Sequence, residues 1–229
     1  MLSYFVKELK IARIGNNSMQ YVKLRHFLKD YTIFSLNDIR QLEPNFHRRR
    51  LNEWQEKGYI KKVVKEYYIF SDKPIDENAL FEIANRIYKP SYISFEAALS
   101  FYQFIPESVY GITSASTRRT YTFHTHIGNF LYRTIKPDLF FGYEMNAYNG
   151  NVYKIAGPEK SLLDFLYLNH HLRTDPDFES LRINHEIFFH VIDLNKLNAY
   201  SLKYSQKTLT NRLNQFIRFL SNQRERINA

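Results

Sequence analysis

The sequence contains no cysteine, which excludes structural disulfides, thiolate zinc sites, iron–sulfur clusters and cysteine nucleophiles together. Glycine is scarce, with seven among 229 residues, each standing alone. Without a glycine cluster there is neither a phosphate-cradling loop nor a dinucleotide fingerprint. No apolar run reaches the roughly 18 residues of a membrane span. The amino terminus, MLSYFVKELK, places Lys7, Glu8 and Lys10 where a secretory signal needs an unbroken apolar core, so the sequence predicts a cytoplasmic protein without membrane contact. What is abundant is aromatic: 18 Tyr, 19 Phe and 1 Trp in a chain that is 44% hydrophobic and 24% charged. That composition belongs to a folded chain able to bury a sizeable core.

The formal net charge is +9, and it is localised. Residues 1–73 hold 15 Lys+Arg against 8 Asp+Glu, residues 74–199 hold 11 against 14, and residues 200–229 hold 6 against 1. Clustered positive charge forms an electrostatic footprint for phosphates, whereas a diffuse excess serves solubility. Ser71-Asp72-Lys73-Pro74 is a turn-rich boundary between the first two regions.

Between residues 20 and 73 the spacing predicts three helices and a hairpin. Val22, Leu24, Phe27 and Leu28 form one apolar face. Ser35 with Asp38 three residues later is a capping pair, followed by the stripe Leu36, Ile39 and Leu42. Pro44 is expected in the first turn of a third helix, residues 44–57, which buries Leu51 and Trp54 with His47 one turn before and ends at Gly58. Tyr59–Val63 and Glu66–Phe70 then read as two strands. This order is that of a winged helix-turn-helix binding double-stranded DNA. The third helix would present Asn45, Arg48, Arg49 and Asn52 to base edges, and the ribbon would bring Lys61, Lys62 and Lys65 to the backbone. The alternative for the run His47-Arg48-Arg49-Arg50 is a solvated helix face.

The rest predicts helices over residues 77–88 and from Ser94, the latter capped by that serine. A β-rich stretch from Val109 to Ile135 and a hairpin at Asn149-Gly150 follow. A very apolar helix opened by Pro158 is expected at the centre of the core. Its Glu159 reads as an acid at the helix amino terminus, and Lys160 or Asp164 as a surface or interdomain contact. The final helix carries the stripe Leu209, Leu213, Phe216, Ile217 and Leu220. Lys203, Lys207, Arg212 and Arg218 lie mainly off it, as a second DNA contact or as its solvated side. The predicted fold class is α+β: an extension at 1–19, a winged helix-turn-helix at 20–73, and a larger mixed α/β carboxy-terminal domain at 74–229.

Three blocks carry a family resemblance. They are Pro90-Ser91-Tyr92-Ile93-Ser94-Phe95-Glu96-Ala97-Ala98-Leu99 with Ile105-Pro106-Glu107, Ile135-Lys136-Pro137-Asp138-Leu139-Phe140-Phe141-Gly142-Tyr143, and Ala156-Gly157-Pro158-Glu159-Lys160-Ser161-Leu162-Leu163-Asp164. With Ile112-Thr113-Ser114 between them, they resemble the AbiEi family of antitoxin-type transcriptional regulators from bacterial abortive-infection systems, over most of residues 20–175. The wing turn Val63-Val64-Lys65-Glu66 lacks a glycine that the family often has. The resemblance implies a repressor of its own promoter whose carboxy-terminal domain counteracts a nucleotidyltransferase-type toxin encoded alongside.

No cofactor or metal is implied, and the sequence does not read as an enzyme. His124 with His126, His170-His171, and His185 with His190 lack a completing carboxylate at ligand spacing. A metal-dependent nuclease reading of Asp138, Glu159 and Lys160 fails because Glu159 and Lys160 are adjacent at a helix start rather than alternating on a strand. The remaining alternative is a protein-interaction module that restrains a toxin directly, with DNA binding secondary.

Overall fold

The computed structural model describes residues 20–106 and 111–227, with side chains to residue 224. The extension expected at residues 1–19 and the start of the strand expected from Val109 lie outside the described residues. The architecture is mixed α+β, a small three-stranded antiparallel sheet with helices followed by a six-stranded mixed sheet with flanking helices. The chain divides into two compact units, Met1–Ile75 with Asn149–Asn151, and Asp76–Tyr148 with Val152–Ala229. Among the described residues no helix is long and apolar enough to cross a membrane.

The first unit runs α1 (Tyr21–Phe27), β1 (Phe34–Ser35), α2 (Leu36–Leu42), α3 (Arg49–Glu56), β2 (Ile60–Val64) and β3 (Tyr67–Phe70), with strand order β1-β3-β2. The capping pair is present at α2: Ser35 Oγ accepts the Asp38 amide at 3.3 Å, and the Asp38 carboxylate accepts the Ser35 amide at 2.6 Å. Gly58 closes α3 at φ +72°. The start of α3 differs from the expectation. Pro44 forces Glu43 into an extended conformation and ends α2, and Phe46 then folds back beneath Trp54, with ring centroids 5.5 Å apart. The helix itself starts at Arg49, after Arg48 in right-handed helical dihedrals, so Pro44, Asn45 and His47 belong to the connection, and His47 is exposed rather than part of the stripe. Val22 is likewise exposed. Its neighbour Tyr21 packs instead, edge-on to Trp54 and stacked on Tyr59.

The second unit begins with α4 (Glu77–Ile87), whose Ala79 amide is capped by Asp76 at 2.8 Å. β4 (Ser91–Ile93), α5 (Phe95–Phe101), β5 (Ile112–Ser116), β6 (Tyr121–Thr125), β7 (Gly128–Thr134), a 3-10 turn (Pro137–Leu139), β8 (Tyr143–Tyr148) and β9 (Asn151–Ala156) follow. Strand order is β6-β7-β5-β4-β9-β8. β4, unanticipated in the sequence, sits between β5 and β9, with Ile93 opposite Ser114 on one side and Ile155 on the other. The Asn149-Gly150 hairpin turn has both residues at positive φ, 47° and 80°. The amino terminus of α5 is not capped by Ser94. Thr113 on β5 does so from outside, accepting the Ala97 amide at 2.9 Å while donating to the Ser94 carbonyl at 2.7 Å. Phe95, between them, is held at φ +58°, a strained conformation for a bulky residue.

Ser94 is free of capping because its hydroxyl serves α6 (Pro158–Leu168), the central helix. Residues 159 to 166 of α6 are buried on every side, including Glu159, Lys160 and Asp164. The surface placement expected for Lys160 and Asp164 is therefore wrong: both are fully buried and paired with each other one helical turn apart. Buried charge persists only where it is paired and hydrogen-bonded. Asp164 meets that condition completely. Its Oδ1 accepts Lys160 Nζ and, at 2.7 Å, Tyr204 O–H, and its Oδ2 accepts Tyr92 O–H at 2.9 Å and Ser94 O–H at 2.8 Å. Lys160 Nζ also donates to Tyr204 at 2.7 Å and lies 5.0 Å from the Phe141 ring centre. Gly142, at φ +69°, packs against this lysine, and a Cβ there would come within 3.3 Å of its methylenes. Burial pulls the Lys160 ammonium below the usual lysine range, with Asp164 opposing the shift. Burial, and then the Asp164 charge, push the Tyr92 and Tyr204 hydroxyls well above the usual phenol range.

Asp164→Ala leaves an unpaired buried ammonium and is expected to cost about 3–5 kcal/mol, and Tyr92→Phe about 1.5–3 kcal/mol, read as shifts of the urea midpoint at constant slope. The raised tyrosines set a pH limit as well. Their contribution is intact below about pH 10, where unfolded tyrosine titrates, and is lost as pH rises further, because the unfolded chain then releases protons that the folded chain keeps. Through these tyrosines unfolding midpoints should fall above about pH 10, while the lowered Lys160 acts with the opposite sign below that.

Candidate nucleic-acid interface

The cations of the first unit gather at one end of α3 and along the ribbon. Arg48 is the N-cap residue of α3 and Arg49 its first residue, and both are exposed. The Arg49 side chain is 89% accessible, and its contact with Glu53, 3.7 Å and one turn on, is a solvated pair of little energy. Asn52 lies on the same exposed line. Farther along, that line becomes acidic at Glu53 and Glu56. The positive part of the helix is thus its first turn, where free backbone amides add partial positive charge. Asn45 is exposed in the connection before α3, not on its outer face. Arg50 points the other way, stacked over Phe46 at 5.5 Å and Trp54 at 5.3 Å, and packs the helix onto its core.

On the ribbon, Lys61, Lys62 and Lys65 are all exposed. Their directions differ. Cross-strand partners share a face, so Lys62, opposite Tyr68, lies on the core face, whereas Lys61, opposite Ile69, lies on the reverse. A register shift between Lys62 and Val64 makes Val63 the extra residue of a bulge. Lys65 and Glu66 form the turn, and in place of the expected glycine Glu66 takes φ +71°.

The carboxy-terminal cations separate into two kinds. α7 (Asp175–Glu179), α8 (His185–Val191), α9 (Leu194–Lys203) and α10 (Lys207–Ile227) complete the second unit. Lys207 and Arg218 are exposed on α10 among Asn211, Asn214 and Gln215, and Lys203 is exposed at the end of α9, over the Phe141 ring at 4.4 Å. Arg212 does not belong with them. It is 5% exposed and its guanidinium donates to the carbonyls of Leu166, His170 and Leu172, at 2.9, 3.3 and 2.9 Å, around the end of α6. The helical wheel left this open, because an arginine at the border of an apolar stripe can face either way.

The remaining candidate groups stay apart. Asp138 is exposed on the 3-10 turn, Glu159 accepts the Asp193 amide at 3.0 Å and pairs with Lys196 at 2.9 Å, and Lys160 is engaged by Asp164. His124 Nδ1 meets Asn129 at 2.9 Å. His185 and His190 line a 460 Å³ cavity with Glu186, Phe189 and Arg224. Among the described residues no three His, Asp or Glu side chains are placed to share a metal ion. No protein-family model matches the chain, and no curated protein matches it.

The contrast between the two arginines of α10 is measurable. Arg212→Ala strips three carbonyls of their donor, two of them buried, and is expected to cost about 2–5 kcal/mol, whereas Arg218→Ala should move the urea midpoint by the equivalent of less than about 0.5 kcal/mol.

Proposed function

We propose that the chain is a DNA-binding transcriptional repressor of antitoxin type, acting on its own promoter and counteracting a nucleotidyltransferase-type toxin. The observation that carries the DNA part is the first unit's order of three helices and a two-stranded ribbon, with Arg48 and Arg49 at the exposed start of α3 and lysines along the ribbon. This order supports a winged helix-turn-helix, a fold that reads DNA with the amino-terminal residues of its second motif helix in the major groove. In this reading Arg48 and Arg49 reach base edges, Asn52 stands one turn deeper, and Glu53 and Glu56 limit how far the helix lies along the phosphates. Asn45 approaches from the connection before the helix. The antitoxin part rests on the resemblance to the AbiEi family, two of whose blocks supply Tyr92, Ser94, Lys160 and Asp164 to one buried cluster.

A second reading, direct restraint of a toxin by the second unit, draws support from Leu194 and Leu202 on α9, which are 40% and 74% exposed. Co-purification of the two proteins as one gel-filtration peak would favour it over indirect antagonism.

Promoter titration by gel shift tests the DNA reading. Arg48→Ala and Arg49→Ala should each relax preference at one base position, at about 1–3 kcal/mol of discrimination. Because Lys61 and Lys62 lie on opposite faces of the ribbon, only one of the two alanine variants should shallow the salt dependence, by about 0.9 in log–log slope. Unchanged promoter binding in all four variants would discard the assignment.

A further inference from the structure

At one corner of the second unit, the end of α4 meets the loop from β5 to β6. Tyr88, 6% exposed, forms the floor of this corner. Its hydroxyl donates to the Arg119 carbonyl at 2.7 Å, and the Arg118 guanidinium lies 4.4 Å from its ring centre while donating to the Lys89 carbonyl at 3.2 Å. These contacts fix a corner that carries three exposed cations, Lys89 after α4 and Arg118 and Arg119 on the β5–β6 loop. Among the described residues none of the three forms an ion pair, and the Lys89 and Arg119 side chains make no hydrogen bond.

Beside them stands an aromatic step. Tyr121, on β6, is nearly parallel to Tyr88, at 10° and 6.2 Å, with Phe123 edge-on at 4.7 Å, yet 42% of its surface stays open. β6 is an edge strand of the sheet, so among the described residues its outer side has no strand beside it. An accessible ring held rigid by two others, bordered by unneutralised cations, matches a polyanion that carries flat apolar groups.

We propose that this corner binds single-stranded nucleic acid, with a base stacked on Tyr121 and adjacent phosphates on Lys89, Arg118 and Arg119. A duplex hides its base faces within the stack, and only an unpaired strand can offer one to a tyrosine ring. Among the described residues none of the three cations has an acidic partner, which favours this polyanion over a protein segment of mixed charge. The site uses residues of the second unit alone and stands or falls independently of the duplex-reading residues of the first.

The test is fluorescence anisotropy of the full chain with a short labelled oligouridylate and the matching oligothymidylate at low salt. Tyr121→Ala and Arg119→Glu should each weaken binding about tenfold, the loss expected for one stacked base or for a reversed phosphate contact. Tyr121→Phe should retain it, and a 5-iodouracil strand should photo-crosslink to Tyr121. Arg48→Ala and Arg49→Ala should leave single-strand binding unchanged, which separates this site from promoter recognition. Binding of either strand, with these variant effects, supports the proposal. No binding of either strand, equal affinity in the Tyr121→Ala and Arg119→Glu variants, or loss only in the α3 variants overturns it.

Discussion

A carboxylate removed from water must find donors for all its lone pairs, and at Asp164 those donors come from four different parts of the second unit. Lys160 lies on the same helix, Tyr92 on the central strand β4, Ser94 at the entry to α5, and Tyr204 just past α9. Each contact is directional, so the helix, the sheet and the carboxy-terminal helices must reach one mutual arrangement before the charge is satisfied. The apolar residues on the other sides of the same helix, Leu162, Leu163 and Leu166, are buried as well but would tolerate a small slide. The ion pair does not. It also shapes its surroundings: Ser94 gives up its helix cap to reach Asp164, Thr113 takes over the cap, and Phe95 is strained between the two.

What was legible in the sequence was local. Ser35 and Asp38 are three residues apart, Asn149-Gly150 dictates its own turn, Gly58 ends its own helix, and Pro158 opens α6. What was hidden depended on partners far along the chain. A lysine and an aspartate four residues apart look like an exposed helix pair until Tyr204 and Tyr92 close over them, and a three-residue strand such as β4 has no period to read. Asn45 and His47 were misplaced because Phe46 is drawn inward by Trp54, a contact that delays α3 to Arg49.

The candidate interface divides in the same way. Residue type and approximate spacing pointed to Arg48, Arg49, Asn52 and the ribbon lysines. The opposite faces of Lys61 and Lys62 depend on strand register, which residue counts do not contain. Arg212 shows the converse: its charge was visible, but its use was not, because the carbonyls that it satisfies lie 40 to 46 residues away. The basic balance of the last region is therefore smaller at the surface than in the composition.

The late position of Tyr204 and Arg212 also fixes the order in which the nascent chain can mature. Among the described residues the apolar cluster of the first unit draws on positions from Tyr21 to Phe70, which are all synthesised before the second unit. Asp164 must wait for Tyr204, and the exposed end of α6 for Arg212, with Leu213, Phe216 and Leu220 following in the same helix. During translation the second unit holds an unsatisfied charge pair and an uncovered apolar helix until Tyr204 and Arg212 have been made. That interval is when the newborn chain offers most apolar surface to wrong partners.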